Sequence, residues 1–203
     1  MTESSLRSVC VYCGSQAGTD AAYIAAGRVL GNAIAMAGLR LVYGGGTRGV
    51  MGALAESVVA GGGKVTGIIP EFLIDREATR NELGHLDELV VTDDMHARKH
   101  AMFERSDAFV SLPGGIGTLE EIVEIMTWAQ LGRHTKPMLF ANVNGFWNPM
   151  LTLLEHMAEA GFIHTAHLVK PIVVDEAEAI VPALFAAPHS ADDEGSDATI
   201  RRL

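Results

Sequence analysis

Three features of the sequence predict a parallel α/β fold with helices on both faces of the sheet. Runs with strand character alternate with runs of helical spacing from residue 9 to residue 185. The strand runs, such as Ala108-Phe109-Val110-Ser111-Leu112, are continuously apolar, which marks strands buried on both faces. Glycine-rich turns follow several of them, at Gly14, Gly44-Gly45-Gly46 and Gly114-Gly115. Successive βαβ units of this kind build a doubly wound, Rossmann-like sheet, whose ligands sit beyond the carboxyl ends of the strands.

Each element has a local reason. Val9 to Tyr12 is an apolar strand ending at Gly14-Ser15. Asp20 to Ala37 has helical spacing, with Thr19 or Asp20 suited to the N-cap and Gly38 to the C-terminal stop. Leu39 to Tyr43 is a strand running into three glycines. Val50 to Ala60 is a helix closed by Gly61-Gly62-Gly63, and Lys64 to Ile69 a strand stopped by Pro70. Residues 71–87 lack a clean period and read as a long loop with room for one helical turn. Loops of that length inside a domain are often functional. Leu89 to Val91 is a short strand, Asp94 to Arg105 a helix, and Ala108 to Leu112 a strand. A helix from Thr118 to about Leu131 follows. Pro137 to Ala141, Asn148 to Ala160, Ile172 to Val174 and Glu176 to Phe185 complete the alternation. Residues 1–187 are expected to form one domain. The tail from Pro188 to Leu203, rich in Ser, Asp and Gly, is expected to be disordered.

Composition narrows the function classes. A net charge of -10 argues against non-specific nucleic-acid binding, which needs a basic face. An anionic small molecule remains compatible, because a few local donors suffice. No run approaches the length of a membrane span, and the first residues lack a signal-peptide apolar region. The sequence therefore reads as cytoplasmic, with no membrane and no nucleic-acid partner. Cys10 and Cys13 form a C-x-x-C, but residues three apart on a strand point to opposite faces. No second Cys pair completes a zinc site. Two buried thiols are the preferred reading.

The nine residues 113–121, Pro-Gly-Gly-Ile-Gly-Thr-Leu-Glu-Glu, join a strand to a helix. The first amides of a helix lack intrahelical partners, and its dipole favours negative charge, so this junction is suited to an anion. Gly114, Gly115 and Gly117 permit positive φ and close backbone approach, and Thr118 adds a hydroxyl. Glu120 and Glu121 are expected in the first helical turn. Beside a phosphate cradle they would repel the ligand unless they served a reacting centre further along it.

Other motifs are less specific. Gly44-Gly45-Gly46-Thr47-Arg48-Gly49 matches G-x-G-x-x-G, with Glu71 at roughly 20 residues' distance, as in a dinucleotide site. Tight strand–helix packing explains the same glycines, and the two readings stand level. Neither glycine loop carries the Gly-Lys-Ser/Thr of a P-loop. In Met95-His96-Ala97-Arg98-Lys99-His100, Arg98 and Lys99 set two cations near the same sheet edge, either gripping a phosphate or simply solvated. His96 and His100, like His164 and His167, read as surface or packing histidines, so no metal site is expected.

Together these blocks carry a resemblance. Pro113 to Glu121 resembles the PGGxGTxxE signature of the LOG (Lonely Guy) family of cytokinin riboside 5'-monophosphate phosphoribohydrolases. Met95-His96-Ala97-Arg98-Lys99 is similar to that family's second block, Gly44 to Gly52 to its first glycine block, and Cys13-Gly14-Ser15 to its opening turn. The resemblance runs from about Val9 to Phe185. Many members of the family carry the label lysine decarboxylase.

The resemblance implies hydrolysis of the N-glycosidic bond of an N6-substituted AMP, releasing free base and ribose 5-phosphate, with AMP itself an open alternative substrate. It implies Arg98 and Glu121 as the catalytic pair. It implies substrate contacts at Glu77, Arg98, Lys99, Gly114, Gly115, Ile116, Gly117, Thr118, Leu119, Glu120 and Thr127. No cofactor and no metal are expected. A homodimer is expected from the resemblance, with the apolar stretch from Ile122 to Ala129 available to share with a partner. The chemistry is coherent. A fixed carboxylate stabilises an oxocarbenium-like sugar and orients the attacking water. The helix dipole favours the anionic form of Glu121. Arg98 cannot donate its proton at neutral pH, so its role is electrostatic or orienting. The loop and the carboxylate would touch opposite ends of one sugar. A non-catalytic nucleotide-binding protein of the same fold is the alternative, and it has no need of Glu121. A pyridoxal-dependent decarboxylase would need a Schiff-base lysine, and the chain offers Lys64, Lys99, Lys136 and Lys170.

Overall fold

The computed structural model describes residues 6–76, 78–163 and 171–188. Seven strands form one sheet in which all neighbours are parallel. They are β1 (Ser8–Tyr12), β2 (Arg40–Tyr43), β3 (Lys64–Pro70), β4 (Glu88–Thr92), β5 (Ala108–Ser111), β6 (Met138–Ala141) and β7 (Ile172–Val174). Their spatial order is β4-β3-β2-β1-β5-β6-β7. Val11 of β1 pairs with Tyr43 of β2 on one side and with Val110 of β5 on the other. The chain winds outward in both directions from β1, so the carboxyl ends of β1 and β5 flank the topological switch point. This is the doubly wound arrangement expected from the continuous apolar runs.

Alternate residues of each strand feed two cores. On one face Val9, Val11, Leu41 and Val110 meet α1 (Ala21–Met36), α2 (Gly49–Ala60) and α7 (Ile180–Ala186). On the other, Cys10, Tyr12, Phe109 and Phe140 meet α4 (Met95–Glu104), α5 (Ile116–Gln130) and the partly buried side of α6 (Asn148–Glu159). Period-2 alternation thus sends Cys10 and Cys13 to opposite faces, both fully buried and unbridged. Burial pushes both thiols far above the ordinary cysteine value, which keeps them protonated and unreactive.

Several boundaries differ from the sequence expectation, each for a local reason. Asp20 is the N-cap of α1, accepting from Ala22 N at 2.9 Å, and Gly38 takes a φ of 68° just after the helix. Pro70 does not stop β3 but is its last residue, paired with Thr92, where its missing N–H costs nothing further along the ladder. The long loop contains a 3-10 turn (Glu71–Leu73) and the single-turn α3 (Arg80–Leu83). A reciprocal Thr79–Glu82 capping box holds α3. The expected last helix divides into a 3-10 turn (Ala177–Ala179) and α7. The expected disorder of the tail concerns residues 189–203, which lie outside the described residues, as do His164 and His167.

Candidate active site

A cavity of about 450 Å³ opens beyond the carboxyl ends of the strands beside the switch point. Its polar wall is built by Gly14 and Ser15 after β1, by Gly115 to Thr118 at the start of α5, and by Arg98, Glu120 and Glu121. Its apolar wall is built by Met51, Phe72, Leu73, Met95 and Ile116. A larger open depression beyond β6 and β7 is lined by Asp175, Glu176 and Glu178 and by no basic side chain, which disfavours an anion there.

Helix α5 begins two residues earlier than its spacing suggested. Gly115 is the N-cap, Ile116 the first helical residue, and Leu119 N makes the first intrahelical bond, to Gly115 O at 3.0 Å. Among the described residues the amides of Ile116, Gly117 and Thr118 have no acceptor, as the start of a helix dictates. They face an open site: a Cβ built at Gly115 or Gly117 would meet nothing within 4 Å. None of Gly114, Gly115 and Gly117 takes a positive φ. Close approach, the other expectation, holds at Gly114, where a Cβ would collide with Thr118 Oγ1 and lie 2.8 Å from Gly14 N. The earlier start moves Glu120 and Glu121 out of the first turn, and no acid stands there. Glu121 lies five residues after Ile116, about 7.5 Å along the axis, which leaves room for one sugar between the amides and the carboxylate.

Arg98 is only 4% exposed although it lies in the first half of a helix opened by the Asp94 cap. Its Nε donates to Ile68 O at 3.2 Å and its Nη2 to Gly44 O at 3.1 Å. Ile68 lies in β3 and Gly44 directly follows β2, so two adjacent strands grip one guanidinium. Nη2 also lies 3.9 Å from Glu121 Oε1. The guanidinium, for which phosphate grip and plain solvation stood level, is thus engaged within the protein. Nη1 contacts Met95 Sδ at 3.8 Å, and Arg98 lines the cavity together with Met95.

Glu121 is 5% exposed. Its negative charge acts on its surroundings: after burial and Cys10, it helps raise the Tyr12 phenol well above its ordinary value. After burial, it is also the main influence raising Cys13, which lines the cavity. Cys13 is therefore no nucleophile.

Lys99 and Glu120 engage each other, at 2.6 Å, and Glu124 adds a second carboxylate at 3.1 Å from Lys99 Nζ. Burial lowers the Lys99 ammonium, but hydrogen bonds to the two glutamates outweigh it and the net shift is upward. Lys99 does not line the cavity. Leu119 packs against the core beneath α5. Thr127 is exposed, and its hydroxyl donates to Val123 O at 2.8 Å, remote from the cavity. Glu77 lies outside the described residues. Phe72, Leu73, Met51, Met95 and Ser15 enter the site although sequence reasoning did not name them as contacts. The available signal for Phe72 was a lone aromatic in a polar loop after a strand end.

The first glycine block is not an anion cradle. The amides of Val50 and Met51, at the start of α2, both donate to Gly14 O at 3.1 Å, so the helix start is already satisfied. Gly49 takes a φ of 59° with its Cα against the backbone of Gln16, and Gly45 a φ of 77° against Ile69. Packing, the second of the two readings, accounts for G-x-G-x-x-G here. Glu71 stands exposed in its 3-10 turn.

No lysine suits a Schiff base among the described residues. Lys99 is paired with two carboxylates. Lys136 Nζ donates to Phe103 O and sits 3.9 Å from that ring's centroid. Lys64 stands at the amino end of β3, away from the site. Lys170 is outside the described residues. The residues present do not fit pyridoxal chemistry. No group of three or more His, Cys, Asp and Glu is placed to hold a metal among the described residues. No helix among them is long and apolar enough to cross a membrane.

Fold and site define a doubly wound α/β protein with unpaired amides at a helix start and a buried carboxylate–guanidinium pair at its switch point. Residues 51–184 match the family described as "Possible lysine decarboxylase". The chain is 46% identical over 163 residues to cytokinin riboside 5'-monophosphate phosphoribohydrolase LOG3 of Arabidopsis thaliana, covering 80% of this chain and 74% of that one. It is 46% identical over 165 residues to the probable phosphoribohydrolase LOGL9 of Oryza sativa subsp. japonica, covering 81% and 71%. The chain belongs to the LOG family, the group that shares this decarboxylase label. Among solved structures, the molybdenum cofactor binding protein of Rippkaea orientalis matches with a TM-score of 0.65 and 18% identity over 89% of this chain and 96% of that one. The molybdenum cofactor carrier protein of Chlamydomonas reinhardtii matches with 0.65 and 22% over 90% and 99%. At these identities the likeness is one of fold.

Proposed function

We propose that this chain hydrolyses the N-glycosidic bond of cytokinin riboside 5'-monophosphates, releasing the N6-substituted adenine and ribose 5-phosphate. The observation that carries the reading is the Arg98–Glu121 pair, buried at the cavity wall at 3.9 Å in a chain 46% identical to a protein named for this reaction. In this reading the amides of Ile116, Gly117 and Thr118 bind the 5'-phosphate. That contact, remote from the bond that breaks, fixes the ribose with C1' toward Glu121. As the C1'–N9 bond lengthens, positive charge grows on the sugar and Glu121 stabilises it. The bonding pair leaves with N9, the same carboxylate accepts the proton of the water that attacks C1', and the departing base takes up one proton to leave neutral. Arg98 fixes the Glu121 carboxylate and lines the cavity that takes the substrate. A protein that only held nucleotides would gain nothing from a buried carboxylate facing the sugar, so the catalytic reading is preferred over the binding one.

The test is incubation with AMP, with N6-isopentenyl-AMP and with the matching nucleosides, followed by assay of free base and ribose 5-phosphate. Release from the monophosphates, much faster than from the nucleosides and undiminished by a chelator, is expected. Equal kcat/KM for a nucleoside and its 5'-phosphate would remove the phosphate role of α5, and no release from any nucleotide would remove the function. We also propose cytoplasmic action and a homodimer. Most of the apolar stretch named for that dimer serves this chain's own core, since Ile122, Ile125, Met126 and Ala129 are buried. Val123 on α5 and Leu131 at its C-cap remain exposed for a partner. Light scattering at micromolar concentration reads the mass, and a monomer overturns the dimer.

A further inference from the structure

We propose that Gly44 is the positioning residue for Arg98, and that its missing side chain sets where the guanidinium stands against Glu121. The inference rests on Arg98 serving the hydrolysis proposed above, but its geometry stands by itself. A Cβ built on Gly44 would overlap Arg98 Nη2 and lie 3.2 Å from Cζ and 3.7 Å from Nε. Those three atoms are its nearest neighbours outside the adjoining residues, so the Arg98 side chain is the first obstacle to a larger residue. The backbone gives no second reason, because the φ of Gly44 is outside the left-handed region. The neighbouring Gly45 differs in this respect, with its φ of 77° and Ile69 Cβ 3.0 Å from a built Cβ. Gly45 is required by the turn, whereas Gly44 is required by the guanidinium.

The same residue also supplies an acceptor. Gly44 O takes the Nη2 hydrogen bond at 3.1 Å, and Ile68 O takes Nε at 3.2 Å. A guanidinium is planar, so two bonds in its plane from two adjacent strands fix its orientation. The remaining reach of Nη2 is toward Glu121, at 3.9 Å. A methyl at Gly44 would push the fork off both carbonyls and change its distance to the carboxylate. Displacement of a catalytic group by about 1 Å can cost on the order of 10²-fold in rate.

The experiment is a double-mutant cycle of Gly44→Ala and Arg98→Ala, read by thermal unfolding and by single-turnover release of base. Gly44→Ala in the parent is expected to lower kcat on the order of 10²-fold, with a smaller change in KM, and to lower Tm. In the Arg98→Ala background the methyl has room, so Gly44→Ala should change neither Tm nor the residual rate by more than about twofold, as expected when the only shared partner is gone. Equal losses of Tm in both backgrounds would overturn the proposal, as would a Gly44→Ala enzyme with parental kcat. If Gly44→Ala alone fails to fold and the double variant folds, the steric conflict is with Arg98 and the proposal holds. If both fail to fold, another contact is responsible and it falls. A parent chain that releases no base refutes the proposed hydrolysis, while the Tm cycle still decides whether Gly44 positions Arg98.

Discussion

Arg98 Nη2 and Glu121 Oε1 stand 3.9 Å apart, with side chains only 5% and 6% exposed. At that separation and an effective dielectric of 20, the attraction is about 4 kcal/mol. Moving two ions out of water costs several kcal/mol each, so the pair alone is weak support for the fold. Bonds from Arg98 to Gly44 O and Ile68 O offset part of that cost. A charge pair kept buried at a cavity wall, where surface residues would be cheaper, fits a site built for chemistry better than one built for stability.

Glu121→Gln keeps the size of the side chain and removes its charge. If the carboxylate stabilises the developing sugar cation and orients water, kcat should fall on the order of 10²–10³. Affinity for AMP, measured by calorimetry, should be kept or improved. A variant that folds, binds AMP and turns over at the parental rate would falsify the catalytic assignment.

Arg98→Ala should damage binding and turnover together, because the guanidinium lines the cavity and stands beside the Glu121 carboxylate. It also leaves Glu121 buried without its cation, so a stability loss of about 3 kcal/mol is expected in urea unfolding. A loss below about 1 kcal/mol, the level of an exposed ion pair, would show the pair to be solvated.

The two glycines of the α5 loop should respond oppositely. Gly117→Ala meets no protein atom within 4 Å and replaces glycine inside a helix, so folding should be unharmed. A bulkier Gly117→Val should raise KM for the monophosphate while leaving the slow cleavage of the nucleoside unchanged. Gly114→Ala drives a methyl into Thr118 and Gly14 and should lower Tm. Identical behaviour of the two sites would contradict the open-face reading of Gly117.

Stability should fall with acid through His134. Burial lowers its pKa from the ordinary 6.5, Lys136 lowers it further, and the bond to Ile125 O only partly opposes them. The folded chain therefore favours the neutral ring, while the unfolded chain takes up a proton once pH drops below 6.5. Unfolded molecules bind more protons in that window, so stability is full above pH 6.5 and declines below it. Tm measured from pH 7.5 to 5 should show this decline, and His134→Gln should flatten it. An unchanged slope in the variant would assign the decline to other groups.

Much of this was legible in the chain. Continuous apolar strands, the Asp20 cap and the strand–glycine–helix junction at 113–121 are local signals, and the structure follows them. The strand period alone separated Cys10 from Cys13. The family resemblance, and no local spacing, marked Arg98 and Glu121 as a pair. The same signals misled where the distant chain decides. Gly44 to Gly49 looks like a phosphate cradle until Gly14 O, 36 residues away from Val50, is seen to take the α2 amides. Lys99, expected at the ligand, stands outside the cavity and pairs with Glu120 and Glu124, while Glu120 lines it.

Composition and period thus determined the layers and the sheet direction, because side-chain burial repeats along the chain with the backbone geometry. Tertiary structure alone decided the rest: that Arg98 turns inward, that Gly44 is small on its account, and that Phe72 joins the cavity. These depend on which strand ends become neighbours. The carbonyls that grip Arg98 come from β3 and from the residue directly after β2, brought together by sheet pairing between residues more than 20 apart in sequence. A guanidinium's partners, unlike a helix's caps, carry no fixed offset along the chain, so no local pattern announces them.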